Sequence, residues 1–255
     1  MVVLMLGDVV GDAGCARVRK GLPALREKYG ADAVIANGEN SAQGNGILPS
    51  SAKYLFDSGV DVITTGNHCL RRKEINETLN RQNGVLRPAN YHQSAPGSGV
   101  FTLDHPRFQL CVINLQGVVF MQQGKSPFDC IDALLDGAGT KNIVVDFHAE
   151  ATSEKLCMGH YLDGRVSAVL GTHTHIPTAD ARILPGGTGY QTDIGMCGGF
   201  DSVLGIKKAQ ALYKMRTNLP TRFDNDPEDI RLSGAVLEID TQTGKCLNIE
   251  SFCFI

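Results

Sequence analysis

The chain has 255 residues, 42% of them hydrophobic and 20% charged, with a formal net charge of −3. That length buries a sizeable core and suits one large α/β domain or two small ones. The mild acidity offers no general electrostatic footprint for long nucleic acid, and no apolar run approaches the roughly 18 residues of a membrane span.

The opening Met1 to Asp8 is too short, and lacks the basic start, for a signal peptide. The eight cysteines form no C-x-x-C pair and no zinc-type spacing, and several lie inside apolar runs such as Leu110-Cys111-Val112-Ile113. They read as reduced thiols packed as small hydrophobes in a cytoplasmic protein.

Residues 2–6 read as a buried strand ending at Gly7-Asp8, residues 11–14 as a loop, and residues 15–29 as a helix with Leu22 and Leu25 inward. A second strand, 33–36, ends in Asn37-Gly38-Glu39-Asn40, and a loop over 41–46 leads to a helix at about 49–58. The third strand, 60–63, ends in Thr64-Thr65-Gly66-Asn67-His68, followed by a charged helix near 72–80. Segments 99–103 and 108–114 look like antiparallel strands, and 127–135 looks helical. Another buried strand, 142–147, runs into His148-Ala149-Glu150, before a helix at 152–162 and a strand at 166–170. The remainder holds short strands at 181–184 and 188–191, a helix near 206–215, and a hairpin of 232–240 and 246–254. No repeat or linker interrupts this, so 1–255 reads as a single domain built as a layered α/β sandwich.

The strand at 166–170 leads into Gly171-Thr172-His173-Thr174-His175. On extended backbone, residues i and i+2 point to the same side. His173 and His175 would then aim at one spot beyond a strand's carboxyl end, where open α/β sheets place their ligands. Neutral imidazole is the commonest metal ligand near pH 7, although a lone H-x-H equally describes two unrelated surface histidines. The preceding chain adds weight, because Asp8, Glu39, Asn67-His68 and His148 also follow expected strand ends. Singly, each has an ordinary reading: a turn residue or cap for Asp8, loop polar groups for Glu39 and Asn40, a core histidine for His148. Together they supply carboxylate, amide and imidazole ligands, enough for two divalent ions sharing a carboxylate. Two ions about 3.5–4 Å apart suit in-line displacement at phosphorus.

The ordered series Gly7-Asp8, Gly38-Glu39-Asn40, Gly66-Asn67-His68, Phe147-His148 and Gly171-Thr172-His173-Thr174-His175 resembles the calcineurin-like metallophosphoesterase superfamily. The longer phrases Arg87-Pro88-Ala89-Asn90-Tyr91 and Val145-Asp146-Phe147-His148-Ala149-Glu150 are similar to its bacterial YmdB-type phosphodiesterase branch, and the likeness covers nearly the whole chain. Two positions depart from the superfamily pattern. Asp8-Val9-Val10 lacks the histidine of an Asp-x-His motif, and Glu39 stands where an aspartate is usual. Both changes resemble the YmdB-type branch. They make the site more oxygen-rich, which favours iron or manganese, with zinc as a further occupant.

The resemblance implies a four-layer α/β/β/α sandwich. It implies one metal held by Asp8, Glu39, Asn40 and His175, and a second held by Glu39, Asn67, His148 and His173. A hydroxide bridging the ions would be the nucleophile. His68 would be the catalytic side chain, contacting the phosphoryl oxygens or protonating the leaving alkoxide, with a third-ligand role as its alternative. Glu150, Thr174 and Asp193 are placed to orient imidazoles. Arg87 and Asn90 read as turn-stabilising groups before substrate contacts, and Cys69 as packing.

The activity so implied is that of a dinuclear metal-dependent phosphodiesterase acting on small cyclic nucleotides, 2′,3′-cyclic monophosphates especially, with no membrane or long nucleic-acid partner. A phosphomonoesterase would use the same ligands, and a regulatory protein could carry them as a vestigial metal site. Amidohydrolases also carry H-x-H, but near their first strand. An exposed hairpin edge is compatible with a homo-oligomer.

Overall fold

The structure, a computed structural model, describes residues 1–121 and 124–254. The chain opens with β1 (Val2–Leu6), β2 (Asp8–Val9), α1 (Gly11–Tyr29), β3 (Ala33–Asn37), α2 (Pro49–Asp57), β4 (Val62–Thr64) and α3 (Asn76–Asn80). It continues through β5 (Val100–His105), β6 (Phe108–Gln116), α4 (Pro127–Leu135), β7 (Ile143–His148), α5 (Thr152–Tyr161) and β8 (Ala168–Thr172). The last part holds β9 (Arg182–Ile183), β10 (Gly189–Gln191), β11 (Met196–Gly199), α6 (Lys208–Thr217), β12 (Ile230–Ile239) and β13 (Cys246–Phe254).

These strands form two sheets. One is seven-stranded, in the order β2-β11-β12-β1-β3-β4 with β13 paired to β12; the other is six-stranded, in the order β5-β6-β7-β8-β10-β9. Strands β1, β3 and β4 are parallel, as are β6, β7, β8 and β10. Period-2 alternation assigns the faces. Leu4 and Leu6 of β1 pack into a core with Leu22 and Leu25 of α1 and Leu55 of α2, while Val3 and Met5 turn to the other sheet and meet Leu110, Val112 and Val144. The opposite faces of β6 and β7 (Cys111, Ile113, Val145 and Phe147) pack against Ile131 of α4 and Met158 of α5. Inner strands covered on both faces read as near-continuous apolar runs, which is why they were visible in the sequence.

Two local expectations are corrected. Helix α1 begins at Gly11, so residues 11–14 are its first turn and not a loop. Gly14 is there for contact, since a Cβ on it would come within 2.3 Å of the Cys197 carbonyl oxygen on β11. The charged stretch near 72–80 is a 3-10 turn, Lys73–Ile75, followed only then by the short α3. Among the described residues, no helix is long and apolar enough to cross a membrane.

Candidate metal centre

Parallel strands of both sheets end on one rim, and the polar residues gather there. Glu39 and Asn40 follow β3, Asn67 and His68 follow β4, His148 closes β7, and His173 and His175 follow β8. Asp8 does not trail β1 into a loop; it opens β2, in register with Met196 of β11.

Glu39 is the hub. Its Oε1 lies 3.2 Å from His148 Nε2 and 3.4 Å from His68 Nδ1, and accepts from Asn40 Nδ2 at 3.3 Å. Its Oε2 accepts the His68 backbone N–H at 3.0 Å. Around His148 Nε2 stand Asn67 Oδ1 and His173 Nδ1, each at 3.1 Å. On the other side of Glu39, His175 Nε2 lies 3.7 Å from Asp8 Oδ1 and 3.3 Å from Asn40 Nδ2. All seven expected ligands and His68 therefore meet at one place.

The donor set fits cations. Asp8 is fully buried, and among the described residues its Oδ1 has no hydrogen-bond partner, with only His175 Nε2 at 3.7 Å and His148 Nδ1 at 4.0 Å facing it, whereas its Oδ2 accepts the His173 N–H at 3.1 Å. An ionised oxygen buried without a donor is costly unless a positive charge faces it. Glu39, His148 and His173 each offer a ligand atom within 4.8 Å of the others. One detail differs from the expected ligand set. Asn40 Oδ1 faces His68 Nδ1 at 2.8 Å, so its NH2 is turned to the cage, and ligation through oxygen requires the amide turned over.

Further groups fix the imidazoles. The Thr172 hydroxyl donates to Asp146 Oδ1 at 2.7 Å, so at His148 Nδ1, 2.8 Å away, it accepts. That puts the His148 proton on Nδ1 and aims Nε2 at the cage. Asp146 Oδ2 is held by Asn37 Nδ2 at 3.0 Å and by the Thr64 hydroxyl. Glu150 lies 2.9 Å from His173 Nε2, leaving Nδ1 for the cage, and His175 Nδ1 donates to the Leu204 carbonyl at 3.1 Å. Thr174 and Asp193, expected to orient imidazoles, bond to each other instead: Asp193 Oδ2 accepts the Thr174 N–H and hydroxyl at 3.0 and 2.7 Å. The extended backbone expected at the H-x-H is also wrong, since His173 and His175 sit at φ +101° and +66°. Arg87 caps the carbonyls of Pro88 and Ala89, Asn90 ties Gln116 to Lys125, and Cys69 is buried; among the described residues none of the three hydrogen-bonds to a cage side chain.

The family model for YmdB-like proteins matches residues 4–252. This chain belongs to the YmdB-like family. Over 252 residues it is 45% identical to the 2′,3′-cyclic-nucleotide 2′-phosphodiesterase of Bacillus subtilis (strain 168), across 98% of this chain and 96% of that one. A crystal structure of a hypothetical protein from Thermus thermophilus superposes with a TM-score of 0.94 at 40% identity, covering 100% of this chain and 99% of that one. A crystal structure of a novel phosphatase from Mycoplasma pneumoniae gives 0.94 at 33% identity, over 100% of this chain and 93% of that one.

In this YmdB-like cage, burial acts on several ionisable groups. It raises Asp8 above the usual carboxylate range and lifts Asp146 to about 6. Burial would raise Glu39 too, but His148 and His68 beside it hold it below its ordinary value. His148 resists burial, because Glu39, Asp8 and Asp146 surround it and carry it up to about 9. His173 falls to about 3 through burial and the neighbouring charge of His148, and burial also lowers His68. Three carboxylates thus share a confined space with one protonated imidazole, a charge balance that a cation would improve.

Proposed function

We propose that this YmdB-like chain is a dinuclear metal-dependent phosphodiesterase acting on 2′,3′-cyclic nucleoside monophosphates. The enzyme is a phosphoric ester hydrolase. The single observation that carries the metal reading is the buried Asp8 Oδ1, without a hydrogen bond among the described residues and beside His175, across Glu39 from the His148–His173–Asn67 cluster. The cyclic-nucleotide reading is supported by the similarity to the 2′,3′-cyclic-nucleotide 2′-phosphodiesterase of Bacillus subtilis, at 45% identity over nearly the full length of both chains. Three apolar cores, one on the outer face of each sheet and one between the two, support the four-layer α/β/β/α arrangement with 1–255 as one domain.

Asp8, Glu39, Asn40 and His175 would hold one ion, and Glu39, Asn67, His148 and His173 the other, with iron or manganese favoured by the oxygen-rich set. Such ions, when bound, make water ionisable near neutrality and offset charge on the phosphoryl oxygens. The chain's own part is orientation and proton delivery. His68 is anchored through Nδ1 to Asn40 and through its backbone to Glu39, while its Nε2 makes no hydrogen bond among the described residues. With the Asn40 amide turned over for ligation, its NH2 would donate to His68 Nδ1, which puts the single proton of the neutral ring on Nε2, where it would face a leaving alkoxide; burial favours that neutral ring.

The test is elemental analysis of purified protein together with phosphodiester turnover before and after chelation and Mn²⁺ addition. Two metal equivalents and restored turnover are expected. His68→Asn is expected to retain the metal while losing about 10²- to 10⁴-fold in kcat. A metal-free, inert protein that added ions do not rescue overturns the reading, as does a strong preference for monoesters over diesters of one leaving group.

A further inference from the structure

The cage opens into a cleft of about 310 Å³ bordered by His68, Glu150, His173 and His175. Asn225 stands in the wall of this cleft and also in the wall of a larger cavity of about 600 Å³. The loop after β3 serves both, with Gly44 lining the cleft and Gln43 and Asn45 lining the larger cavity. This boundary is tied to the candidate ligand Asn40, whose carbonyl accepts the N–H of Gly11 at 2.9 Å and of Gly44 at 3.0 Å. Asn225 is fitted between those two glycines, so a Cβ on either would come within 2.2 or 2.3 Å of its amide.

The larger cavity has the volume of a small-molecule site, typically about 300–1,000 Å³. Its lining is chemically specific. Phe223 is 45% exposed on the strap between β11 and β12. Arg72 is braced by its Nε on the Asn45 carbonyl at 3.1 Å, with no other hydrogen bond among the described residues, and Arg222 has no hydrogen bond or ion pair there. The carboxylates of Asp12, Asp224 and Asp226 and the amide of Gln43 supply acceptors at the same cavity. A bare aromatic face, guanidinium groups and mixed donors and acceptors suit a flat, unsaturated ring with a hydrogen-bonding edge.

We propose that this cavity is the nucleobase subsite of the enzyme, with Phe223 as its stacking face and the ribose passing over Asn225 to the cage. The assignment rests on the phosphodiesterase reading above and deepens it. A rival pocket of about 370 Å³ beside Asn67 holds Leu70, Arg71 and the half-buried Tyr91, and an Arg71 variant distinguishes it in the test.

The experiment compares kcat/KM for a nucleoside 2′,3′-cyclic monophosphate with that for 1-O-methylribose 2′,3′-cyclic phosphate, the same diester without a base. It is run on the wild type, Phe223→Ala, Phe223→Tyr and Arg71→Ala, each checked for an unchanged melting curve. Calorimetric binding of a nucleoside 3′-monophosphate gives a second readout. The wild type is expected to prefer the nucleotide; Phe223→Ala is expected to lose on the order of tenfold of that preference, through KM, and of the calorimetric affinity. Phe223→Tyr is expected to keep both. A wild type without preference, a preference that survives Phe223→Ala, or one lost in Arg71→Ala instead overturns the subsite and leaves the phosphodiesterase reading standing. A wild type that hydrolyses neither ester overturns that reading and the subsite with it.

Discussion

A single hydroxyl, that of Thr172, determines which nitrogen of His148 faces the cage. It has one proton, donated to Asp146, so it can only accept from the imidazole. Thr172→Val keeps the shape and removes this relay, leaving Asp146 Oδ1 and the His148 Nδ1–H unsatisfied in fully buried surroundings. The expected outcome is a loss of roughly 1–3 kcal/mol in stability and about 10- to 100-fold in metal affinity. Thr172→Ser should recover both. Urea titration of chelated protein and competition with a chromophoric chelator measure the two effects, and wild-type metal affinity in Thr172→Val would show that the relay is not needed. The ligand residues themselves were legible because they follow expected strand ends, often beside a glycine. The relay was not: Asp146, Thr172, Asn37 and Thr64 lie within strands, where a polar residue in an apolar run does not say what it faces across a sheet gap. Asp146 in Ile143–His148 carried a signal, a carboxylate committed to a buried strand, but no partner could be named from the sequence.

At the scale of elements, the turn after β8 is the least ordinary piece of backbone. His173 and His175 both have positive φ, a conformation that costs a non-glycine residue of order 1–3 kcal/mol and persists only where its surroundings over-determine it. Those surroundings include Asp193, which accepts from Thr174, from the Gly195 N–H at 2.9 Å, and from Lys155 Nζ of α5 at 2.7 Å. Both ends of the Lys155–Asp193 pair are buried. Lys155→Met leaves the carboxylate without its countercharge and is expected to cost about 3–5 kcal/mol. Adding Asp193→Asn should give back part of that loss, a coupling that a double-mutant cycle in urea reads directly. Additive effects of the two changes would show that the pair does not hold the turn. The sequence carried the regular elements well, since long apolar runs and helical spacing are local signals. It did not carry β2 and β11, which are two and four residues long, the latter Met196-Cys197-Gly198-Gly199, and which exist because they pair with each other and with β12. Nor did it carry the positive φ values, because histidine has no intrinsic preference for them and only the tertiary fold imposes them.

Across the whole molecule, two sheets bring residues from Asp8 to His175 onto one rim, so global stability is linked to protonation there. In chelated protein the signs separate by pH. His173, depressed to about 3 from an unfolded value near 6.5, leaves the native state with fewer protons between those values, so stability rises with pH across that window. Glu39, held below its ordinary value, adds to the loss as pH falls through the acid range. Asp146, raised to about 6, acts oppositely from about 3.9 to 6, but over a shorter span. Above pH 6.5 the balance passes to His148. Its folded value of about 9 means that its contribution is complete below about 6.5 and is lost as pH climbs through 9, roughly 3 kcal/mol in all. The melting temperature of chelated protein should therefore peak near pH 6–7 and decline towards 9. His148→Asn should flatten that alkaline decline relative to wild type, whatever it does to absolute stability. Metal binding needs neutral imidazoles and ionised carboxylates, so it strengthens with rising pH and should oppose the same decline. An alkaline limb that is identical in wild type and His148→Asn would place the controlling proton elsewhere, and a limb unmoved by added Mn²⁺ would separate it from the ion site.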